Sequence, residues 1–344
     1  MTRTPVILIS TPRFEEHVTP PGHPEAPERA HVFDVVAADF EKGGGRVFAP
    51  RPATREQLAR VHDDEHLDRM ASTAGKPSML DPDTFTSPES YEVALLAAGA
   101  AVQAAEHALK TRETAAALVR PPGHHAERDK AMGFCLFNNV AVAAAHALAS
   151  GLERVAIVDI DVHHGNGTQS SFYADPRVLY ISSHQFPFYP GTGAAGETGH
   201  GDALGFTVNI PLEAGATDAD YDLVYRRAAV PVLAEFAPQL TLISAGFDAH
   251  EADPLASMRM SAAGYGRMLR KLEAAAQQSG PVAIVTEGGY DLPALRECLE
   301  VMIRVISVET NGAADDGAIG NAAARGERAL SAVRAAQSAF WRGI

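Results

Sequence analysis

Sulfur chemistry is nearly absent from this chain: among 344 residues there are two cysteines, Cys135 and Cys298, and no CxxC pair. A disulfide framework and a thiolate metal site are thereby excluded, and a reducing cytoplasm is the expected setting. No apolar run approaches the ~18 residues of a membrane-spanning helix, because Gly, Pro or charge interrupts each one. Positive charge is scarce as well. With 29 Lys and Arg against 43 Asp and Glu, the net charge is −14, the opposite of the basic footprint that nucleic acid requires. The acidity suits a cationic substrate only through weak long-range steering. No GxGxxG or Walker pattern directly follows a strand-like run, and no HExxH helix exists, so dinucleotide, P-loop and metalloprotease readings have no support.

What remains is the pattern of an α/β protein. Short β-branched runs occur at 5–10, 115–120, 154–160, 177–182, 239–245 and 281–287, and Ala-rich helical segments at 90–110, 138–150 and 263–278 lie between them. Continuous apolar strands alternating with helices predict a mostly parallel sheet covered on both faces. MTRTPVILIS reads as a first strand rather than a signal peptide. No composition break comes before about Glu309, where NGAADDGAIGNAAARG reads as a loop leading to a C-terminal helix with the lone Trp341. The expected organisation is one domain over 1–308, with the loop and helix of 309–344 packed on it.

The unusual residues fall where such a sheet binds ligands, beyond the carboxyl ends of its strands. RPPGHH follows the run at 115–120, DVHHGNG that at 154–160, SSH that at 177–182, AGFDAH that at 239–245 and EGGYD that at 281–287. In VDIDVHHGNGTQ (158–169), strand periodicity turns Asp159, Asp161 and His163 one way and Ile160 and Val162 the other. Each unpartnered buried carboxylate costs several kcal/mol, which a divalent cation would relieve. Imidazole with carboxylates suits Zn²⁺, Fe²⁺, Mn²⁺ or Co²⁺. Asp161 and His163 offer two ligands, and Asp248 is the best third. His124 and His125 read either as a second metal pair or as an acid–base pair around a metal-bound water. Asp159 is then free to orient an imidazole. Tyr290, after the pliant Gly288 and Gly289, can donate a hydrogen bond to an oxyanion. His17, His31 and His146 fall outside this pattern.

RPPGHHA, GFCLFNNVAVAA, VDIDVHHGNGTQ, SAGFDAHEADPL and TEGGYDL resemble, in order and spacing, the zinc-dependent histone deacetylase-like amidohydrolases of the arginase–deacetylase fold. HPEAPERA (23–30), VHDDEHLDRM (61–70) and FYPGTGAAGETGHG (188–201) extend the likeness to roughly residues 5–305, closest to class II and bacterial members. The resemblance implies a three-layer fold with about eight strands between helices, and deacylation of an acyl-lysine-like amine. It implies Zn²⁺ on Asp161, His163 and Asp248. His125 would be general base and acid, His124 its partner held by Asp159, and Tyr290 the group that polarises the carbonyl. Gly133, Phe134, Phe188 and Tyr189 would line a substrate tunnel gated by Leu255. A structural K⁺ is implied near Asp159, Asp161, His163, Ser182 and Ser183, and a second near Phe172, Asp175, Val178 and Phe206.

Three departures matter. Asn166 stands where other members carry Asp behind the second histidine, which should leave His125 more readily neutral. Leu255 replaces the Glu of polyamine-selective members, so charge cannot select a second ammonium there. Tyr189 adds a hydroxyl where many relatives have Phe. An arginase-like binuclear site would want further carboxylates where Gly165 and His250 stand. The expected partner is an acylated amine, without nucleic acid or membrane, and a homo-oligomer is compatible with the sequence. Asp81, Asp83 and Glu89 are either a rim for a cationic substrate or, more simply, a solvated acidic loop.

Overall fold

The computed structural model describes residues 6–307 and 323–344. Eight strands form a single parallel sheet: β1 (Val6–Ile9), β2 (Arg46–Phe48), β5 (Thr114–Ala117), β6 (Val155–Asp159), β7 (Val178–Gln185), β8 (Thr207–Leu212), β9 (Leu240–Ala245) and β10 (Val282–Thr286). β3 (Ser78–Met79) and β4 (Phe85–Thr86) make a separate two-stranded hairpin. The order across the sheet is β2-β1-β5-β10-β9-β6-β7-β8. The strands that carry the five polar clusters, β5, β10, β9, β6 and β7, are thus consecutive neighbours, and parallel pairing gathers their carboxyl ends along one edge.

Both faces are buried, and the strands sort their side chains with period two. Leu8, Ala116, Val158, Ile181, Ile243 and Ile284 enter one core, whereas Ile9, Ala117, Ile157, Tyr180, Leu242 and Val285 enter the other. Helices Glu28–Lys42, Ala262–Ala276 and Leu292–Ile306 serve the first core, and Ser90–Thr111 and Asn139–Ala149 the second. The result is the three-layer sandwich that continuous apolar strands predict. Asn138 caps its helix by accepting from Ala141 N at 3.0 Å, and Asp291 does the same for Ala294 N at 2.9 Å.

Several elements had no sequence signal. β2 is a short edge strand whose side chains are largely exposed, so it lacks an apolar run. In β8, Thr207, Asn209 and Pro211 interrupt the apolar pattern although every residue but Pro211 is buried. The run at 154–160 leaves the ladder at Asp159, while that at 177–182 continues to Gln185. The expected domain boundary and most of the loop at 311–326 lie outside the described residues. Its last residues, from Ala324, belong instead to the helix Ala324–Gln337. That helix docks on the β8 edge through Gln337 Nε2 to Thr207 O at 2.6 Å and on the helix Asp218–Val224 through Gly326 N to Asp220 Oδ1 at 2.8 Å, and Trp341 beyond its end donates from Nε1 to Gly205 O at 2.8 Å.

Candidate active site

Past β6 the chain bends at 161–163 but stays tied to its neighbours: Ile160 N donates to Ser244 O at 2.9 Å, and Gln185 N to Val162 O at 2.8 Å. Ile160 and Val162 sink into the core, so Asp161 and His163 emerge on the opposite side, where Asp248 arrives from the loop after β9. Asp161, His163 and Asp248 each bring one donor atom to within 4.8 Å of the others. His163 Nδ1 stands 3.2 Å from both Asp161 Oδ1 and Asp248 Oδ2. The remaining carboxylate valences are held by backbone. Gly288 N donates to Asp161 Oδ2 at 2.8 Å, His163 N to Asp161 Oδ1 at 2.9 Å and Val162 N to Asp248 Oδ1 at 2.9 Å.

Two buried carboxylates and one imidazole, braced in this way, are a donor set that fits a divalent cation of mixed nitrogen and oxygen preference. Burial and the Asp161 charge push Asp248 up to about 7. Burial alone would lower His163, yet its bonds to Asp161 and Asp248 lift it to about 10. The fit depends on missing side chains. A Cβ on Gly246 would lie 2.0 Å from Asp161 Oδ2, and one on Gly288 would lie 2.2 Å from Asp248 Oδ2. Gly288 therefore owes its place to close approach rather than to freedom for Tyr290, while Gly289, at φ 120°, supplies the backbone turn.

His124 and His125 pack ring to ring, with centroids 4.1 Å apart, and different groups stand behind them. His124 Nδ1 meets Asp159 Oδ2 at 3.0 Å, and His125 Nδ1 meets Asn166 Oδ1 at 2.8 Å. Burial opposes charge on both. For His124 the carboxylates of Asp161 and Asp159 reverse it and hold the pKa well above the ordinary value. For His125, burial and the charges of His124 and His163 drive it well below. The loop that carries the pair is anchored by Glu287, fully buried, which sequence reasoning did not single out. Its Oε2 accepts from Gly123 N at 2.6 Å and His124 N at 3.2 Å, and its Oε1 from Ser244 Oγ at 2.5 Å.

Tyr290 is held by two charged residues, Arg29 and Asp253. Arg29 donates to Gly289 O at 2.7 Å and Glu287 O at 2.6 Å and lies 5.0 Å from the Tyr290 ring centre. Asp253 Oδ2 accepts from Tyr290 N at 2.6 Å. Burial, against the opposing Arg29 charge, raises the phenol well above its ordinary pKa, so it keeps its proton to donate. Glu25 binds Arg29 at 3.0 Å and Arg120 at 2.7 Å, and His17 Nε2 is 3.3 Å from it. His17, which fits no sequence pattern, is thus part of the buried scaffold; His31 stands near Glu15, and His146 meets Glu106 and Arg60, all away from the cluster.

Phe134 lies edge-on to the Tyr290 ring at 5.8 Å and to His23 at 4.7 Å. Tyr189 meets the His125 ring at 5.1 Å and Phe188 stacks on His163 at 5.5 Å. Gly133 has φ 56° and its hydrogen points at His125, where a Cβ would come within 2.5 Å of the ring. Phe134 shares that left-handed region at φ 68°, a strained conformation for a bulky residue, stabilised by Thr84 Oγ1, which accepts from its N–H at 3.0 Å. Half-buried Leu255 is tied through its N–H to Asp253 Oδ1 at 3.0 Å. In the acidic rim, Asp81 accepts from Asp83 N at 3.0 Å and the Asp83 carbonyl faces His23 Nε2 at 3.0 Å. Both aspartates shape their own turn, and Glu89 is exposed.

Of the residues expected around potassium, Ser182 Oγ faces His184 Nδ1 at 2.8 Å and Ser183 Oγ faces Tyr225 OH at 2.7 Å. Phe172, Asp175, Val178 and Phe206 come together through Asp175 N to Phe172 O at 3.0 Å, Val178 N to Asp175 O at 3.1 Å and Tyr180 N to Phe206 O at 2.8 Å. His164 bonds Thr192 at 2.7 Å and Gln169 at 3.0 Å, away from the donor cluster.

A family model described as "Histone deacetylase domain" matches residues 23–306. A protein of Archaeoglobus fulgidus named "Probable deacetylase" is 42% identical over 291 residues, spanning 83% of this chain and 81% of its own. "Histone deacetylase 15" of Arabidopsis thaliana is 40% identical over 301 residues, 85% of this chain and 54% of that protein. The crystal structure of an HDA15 HD domain superposes with a TM-score of 0.90 at 35% identity, covering 98% of this chain and 96% of that one.

Proposed function

The chain belongs to the histone deacetylase family, and we propose that it is a zinc-dependent enzyme that removes an acyl group, acetyl foremost, from a lysine-like amine. The observation that carries this reading is the convergence of Asp161, His163 and Asp248 beside two imidazoles backed by unlike groups. Asp161, His163 and Asp248 would hold the ion, which when bound supplies Lewis acidity toward the amide oxygen and lowers the pKa of a water. His125, the imidazole held neutral, takes the proton of the attacking water at Nε2 and returns it to the leaving amine. His124, kept cationic by Asp159, stabilises the negative charge that develops. Tyr290 donates its phenolic hydrogen to the carbonyl oxygen as that oxygen gains charge.

Gly133, Phe134, Phe188 and Tyr189 form the walls of the channel for an aliphatic arm, with neutral Leu255 at its gate. The two potassium sites belong to the same proposal: strand pairing sets Asp159 against Ser182 for the first, and backbone hydrogen bonds gather Phe172, Asp175, Val178 and Phe206 near the start of β7 for the second. A cytoplasmic setting accords with the two cysteines and with the absence, among the described residues, of any helix long and apolar enough to cross a membrane.

The test is a substrate panel run with metal analysis on one preparation. The expected result is about one zinc per chain and faster hydrolysis of an acetyl-lysine peptide than of N-acetylputrescine. Preference for the acetylpolyamine would overturn the substrate assignment, and full activity without zinc would overturn the mechanism.

A further inference from the structure

The Asn166 amide is surrounded on its nitrogen side by acceptors alone. Nδ2 donates to Glu127 Oε1 at 2.6 Å, with Met132 Sδ and His125 O each at 3.4 Å. On its other side, Oδ1 faces His125 Nδ1 at 2.8 Å. Reversing the amide would set Oδ1 against a carboxylate oxygen, two acceptors with no proton between them. The carboxylate therefore decides which end of the amide the imidazole meets. Facing an acceptor, His125 must carry its hydrogen on Nδ1, which leaves the lone pair on Nε2. His124 needs no such device, because Asp159 is an acceptor in either orientation.

Glu127 is well placed to act this way. It lies two residues beyond His125, and its backbone is pinned by Lys130 O at 2.9 Å and by His62 Nδ1 on its own carbonyl at 2.9 Å. His62 Nε2 in turn accepts from Asn138 N at 2.9 Å. The side chain thus extends from a fixed loop to a single buried amide. We propose that Glu127 is a positioning residue which, by orienting the Asn166 amide, selects the Nδ1–H tautomer of His125 and reserves Nε2 as the proton acceptor. This rests on the reading of His125 as the base.

The test uses the full-length, metal-loaded protein. Glu127→Gln keeps an acceptor for Nδ2 and should lose the least. Glu127→Leu frees the amide to turn, and kcat should fall about 10-fold with KM little changed. Glu127→Lys offers only donors, attracts Oδ1 to itself and turns Nδ2 toward His125, so kcat should fall about 10²-fold or more, as expected for a base held in the wrong tautomer. Adding Asn166→Asp to Glu127→Lys restores an acceptor for both neighbours and should recover at least about 10-fold. ¹⁵N NMR of the ring nitrogens, assigned by loss of the signal in His125→Gln, should show Nδ1–H in the wild type and Nε2–H in Glu127→Lys. Losses that are equal in the Gln, Leu and Lys variants, or that follow the melting temperature with no rescue in the double variant, would overturn the proposal. His125→Ala separates the two readings: if it keeps wild-type kcat, the assignment of His125 as base fails whatever Glu127 does.

Discussion

Replacing Gly288 by alanine tests the metal site through space rather than through charge. The added Cβ would lie 2.2 Å from Asp248 Oδ2 and 2.6 Å from Asp161 Oδ2, against a floor of 3.0 Å for real contacts. Neither carboxylate is free to withdraw, since Val162 N holds Asp248 at 2.9 Å and His163 N holds Asp161 at 2.9 Å. One ligand oxygen must therefore move by most of an ångström, where a metal–ligand distance tolerates about 0.2 Å. Disturbing groups that merely support ligands costs roughly 10–100-fold in metal affinity. Moving a ligand itself should cost at least 10²-fold, about 3 kcal/mol. Gly289→Ala is the control: its Cβ meets Leu295 Cδ1 at 3.1 Å and Phe247 Cβ at 3.2 Å, no carboxylate, and its φ of 120° strains the backbone ahead of Tyr290. It should keep zinc and lose turnover. Affinity is read by competition with a chromophoric chelator, with melting of the metal-free proteins to establish folding. A folded Gly288→Ala protein that binds zinc within threefold of wild type would refute the reasoning.

Tyr290→Phe should lower kcat by roughly 10²-fold or more with zinc content unchanged; unaltered kcat would remove the phenol from the mechanism. Metal uptake near neutral pH should release protons, because His163, raised to about 10, carries one when metal-free and Asp248, raised to about 7, is about half protonated there. Calorimetry in buffers of different ionisation enthalpy reads the number released, and a value of zero would contradict the raised pKa values. Away from the site, burial lifts Glu273 to about 7 from 4.5, against its bond to Thr114. A carboxyl raised on folding favours the fold below the unfolded pKa, and that advantage is lost as pH rises through the folded pKa. Glu273→Gln should therefore match wild type near pH 4 and exceed it by up to roughly 3 kcal/mol at pH 9 in urea unfolding. A difference independent of pH would contradict this.

The sheet was legible because its central strands are buried on both faces and read as unbroken apolar runs, each ending in polar residues. What sequence could not convey is how groups from different loops share their partners. Glu287 reads as one letter of a Gly-rich turn, yet it is the buried anchor for Gly123 and His124. Arg29 sits in an N-terminal segment 260 residues from the carbonyl it binds, a separation no local pattern spans. Gly246 sits within the AGFDAH cluster, but nothing there tells why it must be glycine, since its requirement is the carboxylate that approaches its missing side chain. Asn166 was visible as a substitution, but the carboxylate behind it was not.

That pairing bears on why adjacent histidines take different roles. Two imidazolium charges about 4 Å apart in a partly desolvated site repel by about 4 kcal/mol, so rings with centroids 4.1 Å apart will not both be charged. Which of them carries the proton is then a matter of what stands behind each. A carboxylate behind His124 stabilises a cation directly, whereas an amide oxygen behind His125 offers a hydrogen bond without a full charge. The net charge of Glu127 is kept one amide farther away, where it acts on the direction of Asn166 rather than on the charge of the ring. Moving that carboxylate next to His125 would favour the charged form of that ring as well, so an Asp at 166 restores the tautomer but not the full bias toward a neutral base. On the proposed reading, the relay keeps His125 neutral and oriented for proton transfer beside a charged His124.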